Sequence, residues 1–494
     1  MALEFPLWLR AAHYFNLLFL SVSLRSGLQI LAAHPKLYWN DHCTPGSEWL
    51  RLTRKRLPAH APWTSRDEEE AFSPWVALPG GRSLGLGRHW HFLGDLGWLL
   101  TGISYVVLLF ATDAWRRLVP TSWHVLPAAW HAAAGYATLH LVEAPGGYNA
   151  LQQLAYFGVV FLLSPLTIAT GLAMSPAISA RFPGYLRLFH GRQAARSVHF
   201  LCLCAFGLFV VVHVAMVVLH GLARDLALIV LGETDHPQGG LALAVGLLGL
   251  ALVVAFHVVA TRYSRRRPDL VHRRTGAVID LARRPLMAVT PSRPAYTRAD
   301  VSPYFRVNGR PPRDPGYQAL AARGFADYTL EIGGRVERPL RLSLADLRGM
   351  PRETQISLHC CIQGWSAIAE WGGVPLRHLL ELCRPLPEAR FVLLEAFDDK
   401  SASEPDPAGP GRYYGTLELA LARHPRTLLA DEMNGAPLPL AHGAPLRVRV
   451  ETQLGFTMVK YVRRIALVPD YRGIGQGRGG WREDWQFYDQ QAPI

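Results

Sequence analysis

The sequence predicts an all-α bundle of about five membrane-spanning helices followed by an α+β soluble domain. Three observations predict it. Half of the 494 residues are hydrophobic, and the long apolar runs all lie before residue 262. Five of those runs, about 12–33, 91–111, 153–174, 198–220 and 241–261, are near the ~20 residues that cross a bilayer. Beyond residue 262 the chain turns basic and proline-rich, then alternates apolar and polar residues at the period of strands. A chain of this length is expected to hold two or three domains.

The first run opens with His13 in RAAHYFN, and the second with His91 in GRHWHF. His89 rivals His91 but sits further out and follows an arginine. The stretch 123–142 is alanine-rich and holds Pro127, which predicts an interfacial or partly buried helix rather than a span. No cleavable signal peptide is expected, because no small-residue cleavage pattern follows the first run.

The fourth run, VHFLCLCAFGLFVVVHVAMVVLH, carries His199 and His213. Fourteen steps along a helix bring the second side chain to within about 40° of the first and about 21 Å further on. One face thus presents an imidazole near each membrane surface. Such groups hydrogen-bond neighbouring helices or act as axial ligands of haem iron. Consecutive spans alternate in direction, so His91 falls at the level of His199, and His13 at that of His213. Four histidines in two level pairs favour two b-type haems. Arg25 and Asp95 are charges inside apolar helices, facing either haem propionates or the bundle interior.

These spans resemble the di-haem cytochrome b subunits that anchor thiosulfate reductases, formate dehydrogenases and nickel-iron hydrogenases. RAAHYFN, GRHWHF, SPLTIATGLAMSP and GRQAARSVHF carry the resemblance, which covers about residues 5–265. It implies two haem b groups held by His13, His91, His199 and His213, with electron exchange to membrane quinone or quinol.

The expected organisation is a membrane domain at 1–265, a basic linker at 266–300, a soluble domain at 301–470 and a tail at 471–494. The net charge of +13 does not point to nucleic acid, since much of it flanks the apolar runs, where anionic headgroups attract it. The 33–88 loop, the 175–198 loop and the 262–274 flank hold eighteen Lys and Arg, against four on the opposite side. That bias predicts a multi-pass protein of the bacterial inner membrane with its soluble domain in the cytoplasm. The six cysteines suggest no disulfide framework. The acidic run at 67–70 reads as a solvated loop, and GIGQGRGG at 473–480 as a flexible turn lacking the context of a nucleotide loop.

In the soluble part, DYTLEIGGRV, PLRVRVET and YVRRIALV read as strands. Its chemistry lies in HCCIQGWSAIAEWGGVPL, residues 359–376. A cysteine thiolate suits a soft metal centre, whereas a buried cysteine is otherwise inert. The string resembles the molybdenum-cysteine loop of the sulfite oxidase superfamily, closest to its methionine-sulfoxide reductase branch. The resemblance covers about 300–470 and implies a molybdopterin cofactor. Cys361 falls on the metal ligand, with Cys360 a neighbour facing away. EMNGAPLPLAHGAPLRVRV and LGFTMVK resemble pterin-binding segments, which places His442, Arg447, Met458, Val459 and Lys460 at the cofactor. Asn308 in YFRVNGRPP is the contact where the chain enters that site.

Two departures stand out. Ala396 and Phe397 occupy the region where the family has a Thr or Ser contact. Gln363, Gly364 and Trp365 follow Cys361 where sulfite oxidases carry arginines. The resemblance then implies a molybdenum oxidoreductase acting on a small S-oxide or N-oxide, fed by quinol through the haems. The alternatives are a sulfite-type oxidase feeding quinone, and a haem electron conduit that turns over no substrate.

Overall fold

The computed structural model of the chain describes residues 4–57, 62–138, 140, 142, 148–233, 239–291, 296–401 and 409–494. Its helices in the first half are α1 (Leu7–Ala33), α2 (Leu84–Ala111), α3 (Val125–Ala137), α4 (Ala150–Met174), α5 (Arg192–Val230), α6 (Gly239–Arg266) and α7 (Pro268–Met287). α1, α2, α4, α5 and α6 are long and apolar enough to cross a membrane. α3 has 13 residues, about 20 Å of helix against a hydrocarbon core of about 30 Å.

Two spans are irregular for local reasons. α4 contains a π turn at Gly158–Leu163, just before Pro165, which has no N–H and crowds the preceding turn. α5 breaks at Gly221, with φ 113° and ψ 99°, a backbone that glycine adopts without a Cβ penalty. α7 occupies much of the segment read as a linker, and begins with Pro268 and Asp269 in its first turn. Residues 292–295 of that segment lie outside the described residues.

The second half is two sheets over one core. Its strands are β1 (Thr329–Gly334), β2 (Leu340–Ser343), β3 (Glu353–Cys360), β4 (Ser366–Pro375), β5 (Phe391–Asp399), β6 (Arg412–Glu418), β7 (Thr427–Met433), β8 (Arg447–Val450) and β9 (Val462–Val468). One sheet runs β2-β1-β9-β5-β6, with β9 parallel to β1 and the other pairs antiparallel. In the other, β7 pairs with both β4 and β8, and β4 with β3. Leu330, Ile332, Val392, Leu394, Val448, Val450, Ile465 and Leu467 fill the space between them, each nearly or wholly inaccessible. β4 is buried along its whole length, so the hairpin turn joining it to β3 is held firmly.

The two halves interlock. The loop between α1 and α2 folds onto the soluble domain. Ser65 N–H donates to Val307 O, Trp63 stacks on Tyr304, and Glu68 pairs with both Lys36 and Arg306. The acidic run at 67–70 is therefore not a solvated loop. Glu68 is 2% exposed, and Glu69 accepts from the Gln363 side chain at 2.5 Å. The tail is likewise docked, not free. Gly479 O accepts from Thr416 N–H and Oγ1, and Trp481, Glu483 and Asp484 are buried.

Candidate functional site: a basic cleft beside Cys361 and two histidine pairs

Cys361 begins the turn from β3 into β4. Its N–H donates to Trp365 O at 3.0 Å, and Gly364 N–H returns to Cys361 O at 3.1 Å. Gly364 has φ 112°, a left-handed backbone that favours glycine. The two adjacent cysteines diverge. Cys360 packs with Ala33, Leu84, Leu454, Phe456 and Tyr488. Cys361 packs with Phe305 and Trp365, and its Sγ lies 3.9 Å from Asn308 Nδ2 and 3.5 Å from Gln363 Oε1. Burial pushes the Cys361 thiol up to about 12, so a thiolate there requires a cation beside it.

Beside this turn lies a cleft, partly open to solvent, whose walls include Asn308, His359, Trp365, His442, Arg447, Met458 and Lys460. Most of the residues expected at the cofactor are thus brought together. Two are not in its lining: Val459 is buried in the core between the sheets, and Cys361 lies buried behind Asn308 and Trp365. Gly443 has φ 120°, and a Cβ there would sit 3.1 Å from the Lys460 Cβ and 3.2 Å from that of Arg447. Glycine lets those two cations converge.

The cleft is built for an anion. Burial, then the neighbouring Arg447 charge, holds Lys460 well below its ordinary value. Burial pushes Arg447 down to about 10, and burial with Arg447 and Lys460 pushes His442 down to about 3. In the cleft wall the donor Arg447 Nε is buried and has no hydrogen-bond partner among the described residues. Buried, mutually repelling cations with an unused donor are costly alone and favourable around a dianion. The residues present fit the phosphate of a pterin cofactor, with Cys361 as a thiolate ligand to its metal.

Sequence reasoning missed several wall residues. Arg306, Asp398, Lys400, Tyr413, Trp481 and Arg482 also line the cleft. Asp398 lies on the strand that holds Ala396 and Phe397, and Lys400 just past its end; the two pair with each other at 2.5 Å. Trp481 and Arg482 come from the tail. A second missed feature is the contact with the membrane helices. The Gln193 side chain, at the start of α5, donates to Gly364 O at 2.8 Å and to Ser366 Oγ at 3.1 Å. It lies six residues before His199.

Inside the bundle, His91 and His199 face each other with ring centroids 6.5 Å apart, and His13 and His213 at 6.4 Å. His91 Nδ1 lies 3.1 Å from Ser23 O, and His199 Nδ1 3.1 Å from Thr167 O. A carbonyl only accepts, so each Nδ1 carries the hydrogen and each Nε2 keeps its lone pair. Two imidazoles across one metal ion put their centroids roughly 6 Å apart, from two ~2 Å metal–nitrogen bonds plus the ring radii. The two pairs fit one iron each. His89 turns away from the bundle toward His272, at 4.5 Å. Arg25 ties α1 to His257, Thr261, Pro74 O and Ala77 O, which places it in the bundle interior.

The class follows from two family descriptions. "Prokaryotic cytochrome b561" matches residues 4–232, and "Oxidoreductase molybdopterin binding domain" matches residues 318–472. The chain thus joins a segment similar to cytochrome b561 membrane domains to one similar to molybdopterin-binding oxidoreductase domains. Among curated proteins it is similar to the "Putative protein-methionine-sulfoxide reductase subunit YedZ1" of Azospira oryzae, 32% identical over 30% of this chain and 52% of that protein. It is also similar to the protein-methionine-sulfoxide reductase catalytic subunit MsrP of Xanthomonas axonopodis pv. citri, 33% identical over 34% of this chain and 54% of that one. The MsrP of Campylobacter jejuni is 35% identical over 34% and 57%. The chain spans about half the length of the curated relatives it matches.

Proposed function

We propose that this chain is a membrane-bound molybdenum oxidoreductase that carries its own electron supply. Electrons pass from quinol through two haem b groups, held by His13 with His213 and by His91 with His199, to a molybdopterin centre ligated by Cys361. The substrate is a small S-oxide or N-oxide. One observation carries the reading: the Cys361 turn is hydrogen-bonded to the helix that bears His199. A redox centre at each place would be linked by one short stretch of rigid structure.

The bound molybdenum–pterin group supplies oxygen-atom transfer coupled to two-electron exchange. The chain's own residues position and shield it. Arg447, Lys460 and His442 hold its phosphate end, and Asn308 lies beside the thiolate. Trp365, Phe305 and Trp481 give the cleft apolar walls, and Lys400 and Arg482 line it beside them.

A second reading rests on Arg66, Arg310 and Arg482 in the same wall. Cations beyond those needed for a phosphate favour an anionic substrate such as sulfite, with electrons running toward quinone. Metal analysis and an absorption spectrum of the purified protein test the shared part. One molybdenum and two haems per chain are expected; haem without molybdenum would leave only the electron conduit. Mixing dithionite-reduced protein with sulfoxides and amine N-oxides, and oxidised protein with sulfite, then separates the two directions by which mixture changes the haem spectrum.

The soluble domain is proposed to be cytoplasmic. It packs against the α1–α2 loop and the start of α5, the side that holds most of the loop Lys and Arg. A C-terminal fusion to alkaline phosphatase should be inactive; an active fusion would reverse the orientation.

A further inference from the structure

One cluster of ligating side chains lies outside both the cleft and the histidine pairs, and it joins three distant parts of the chain. His89 of α2, His272 of α7 and Asp489 of the tail each bring one ligand atom within 4.8 Å of the others. Asp489 Oδ1 is 3.5 Å from His89 Nε2 and 3.2 Å from His272 Nε2. Neighbouring ligands of a tetrahedral ion with ~2.0–2.1 Å bonds lie about 3.3 Å apart. The two spacings match without movement of the backbone.

The hydrogen bonds around His89 set its tautomer. Thr275 Oγ1 donates to Val271 O at 2.8 Å. Its one hydrogen is used, so it accepts from His89 Nδ1 at 3.1 Å. A neutral His89 therefore carries its hydrogen at Nδ1, which leaves the Nε2 lone pair toward a carboxylate oxygen. Two lone pairs at that distance repel unless a cation lies between them. His272 Nε2 is buried 3.2 Å from the same oxygen, with no hydrogen-bond partner of suitable geometry among the described residues. One divalent ion satisfies all three ligands at once, and the Thr275 bond is the kind of outer contact that orients a ligating histidine.

We propose that His89, His272 and Asp489 bind one divalent first-row transition-metal ion of the zinc class, which clamps the C-terminal tail to α2 and α7. Nitrogen and carboxylate ligands suit that class, and Asp489, on the solvent side, leaves a coordination position open. The clamp has a consequence for the cleft. The same tail contributes Trp481 and Arg482 to its wall, and its Gln486 and Phe487 carbonyls lie against Gly85 of α2, where a Cβ would meet them at 2.3 and 2.7 Å. Holding Asp489 therefore holds the wall.

The test uses the full chain purified in detergent. Zinc is removed by dialysis against EDTA, restored with zinc chloride, and counted beside haem iron and molybdenum. About one zinc per chain is expected, bound with a dissociation constant well below ~10 μM, and its X-ray absorption edge should show imidazole scattering. Asp489→Asn and His272→Asn should each release that zinc while leaving the haem spectrum unchanged. A wild-type chain that takes up no zinc, or zinc that survives both substitutions, would overturn the proposal. The wild-type titration stands even if a variant fails to fold.

Discussion

Neighbouring cysteines at 360 and 361 show how two like side chains acquire different chemistry. Strand alternation sends successive side chains to opposite faces, so Cys360 enters one apolar cluster while Cys361 meets Asn308, Phe305 and Trp365, which line the cleft. Cys361→Ser should reduce turnover at least ~10³-fold, since the hydroxyl is a poor substitute for a soft thiolate ligand, while the haem absorption spectrum stays intact. Cys360→Ala should leave turnover within about twofold and lower stability by ~1–2 kcal/mol, the scale of a small core truncation. Activity retained by Cys361→Ser and lost by Cys360→Ala would exchange the two roles. The doublet's register was legible because the motif fixes it. The cleft's cations were legible only in part. Arg447 and Lys460 sit in recognisable strings, whereas Arg482 and Lys400 are placed by folding alone.

At the scale of elements, two segments that looked peripheral hold the halves together. The 34–83 loop buries Glu68 between Lys36 and Arg306, each no more than 3% exposed. Removing one member of a buried ion pair leaves its partner uncompensated and costs ~3–5 kcal/mol. Glu68→Ala should therefore lower the thermal midpoint of the soluble domain by several degrees, read by loss of the near-UV signal. An unchanged midpoint would show that the network contributes nothing net. In the tail, burial and then Asp484 push the Glu483 carboxyl up to about 8, against the opposing pull of Arg482. The docked tail keeps a proton that an undocked tail releases above ~4.3. Docking is therefore strongest below that value and weakens as pH rises through about 8. Hydrogen exchange in residues 481–494, corrected for intrinsic rates, should show more frequent opening at pH 8.5 than at pH 6, and Glu483→Gln should remove the difference. Neither segment could be read from sequence. Glu68 and Arg306 are 238 positions apart, and Tyr414 meets Asp484 across 70, with no periodic signal to announce either. The spans and their histidine pairs were readable because helix period and alternating direction are local rules.

Across the whole molecule, the order of the redox centres follows from where the soluble domain sits. It caps the start of α5, through Gln193 and the Gly364 carbonyl, and that end of the helix carries His199. His213 lies fourteen residues on, about 21 Å further along the axis. The haem proposed at His91 and His199 is thus the one that exchanges electrons with molybdenum, and quinol is expected to enter nearer the His13 and His213 pair. Two substitutions test this from opposite ends. Gln193→Leu removes the hydrogen-bonded link without touching a ligand. It should slow haem oxidation by substrate roughly tenfold, ~1.4 kcal/mol of barrier, with haem and molybdenum contents unchanged. His91→Ala and His199→Ala should each remove the same haem. In stopped-flow oxidation of such protein, quinol should still reduce the remaining haem while substrate no longer drains it. If electrons left the His13–His213 haem at the normal rate in that variant, the route through α5 would be wrong, and the Gln193 contact would serve only to fasten the two halves.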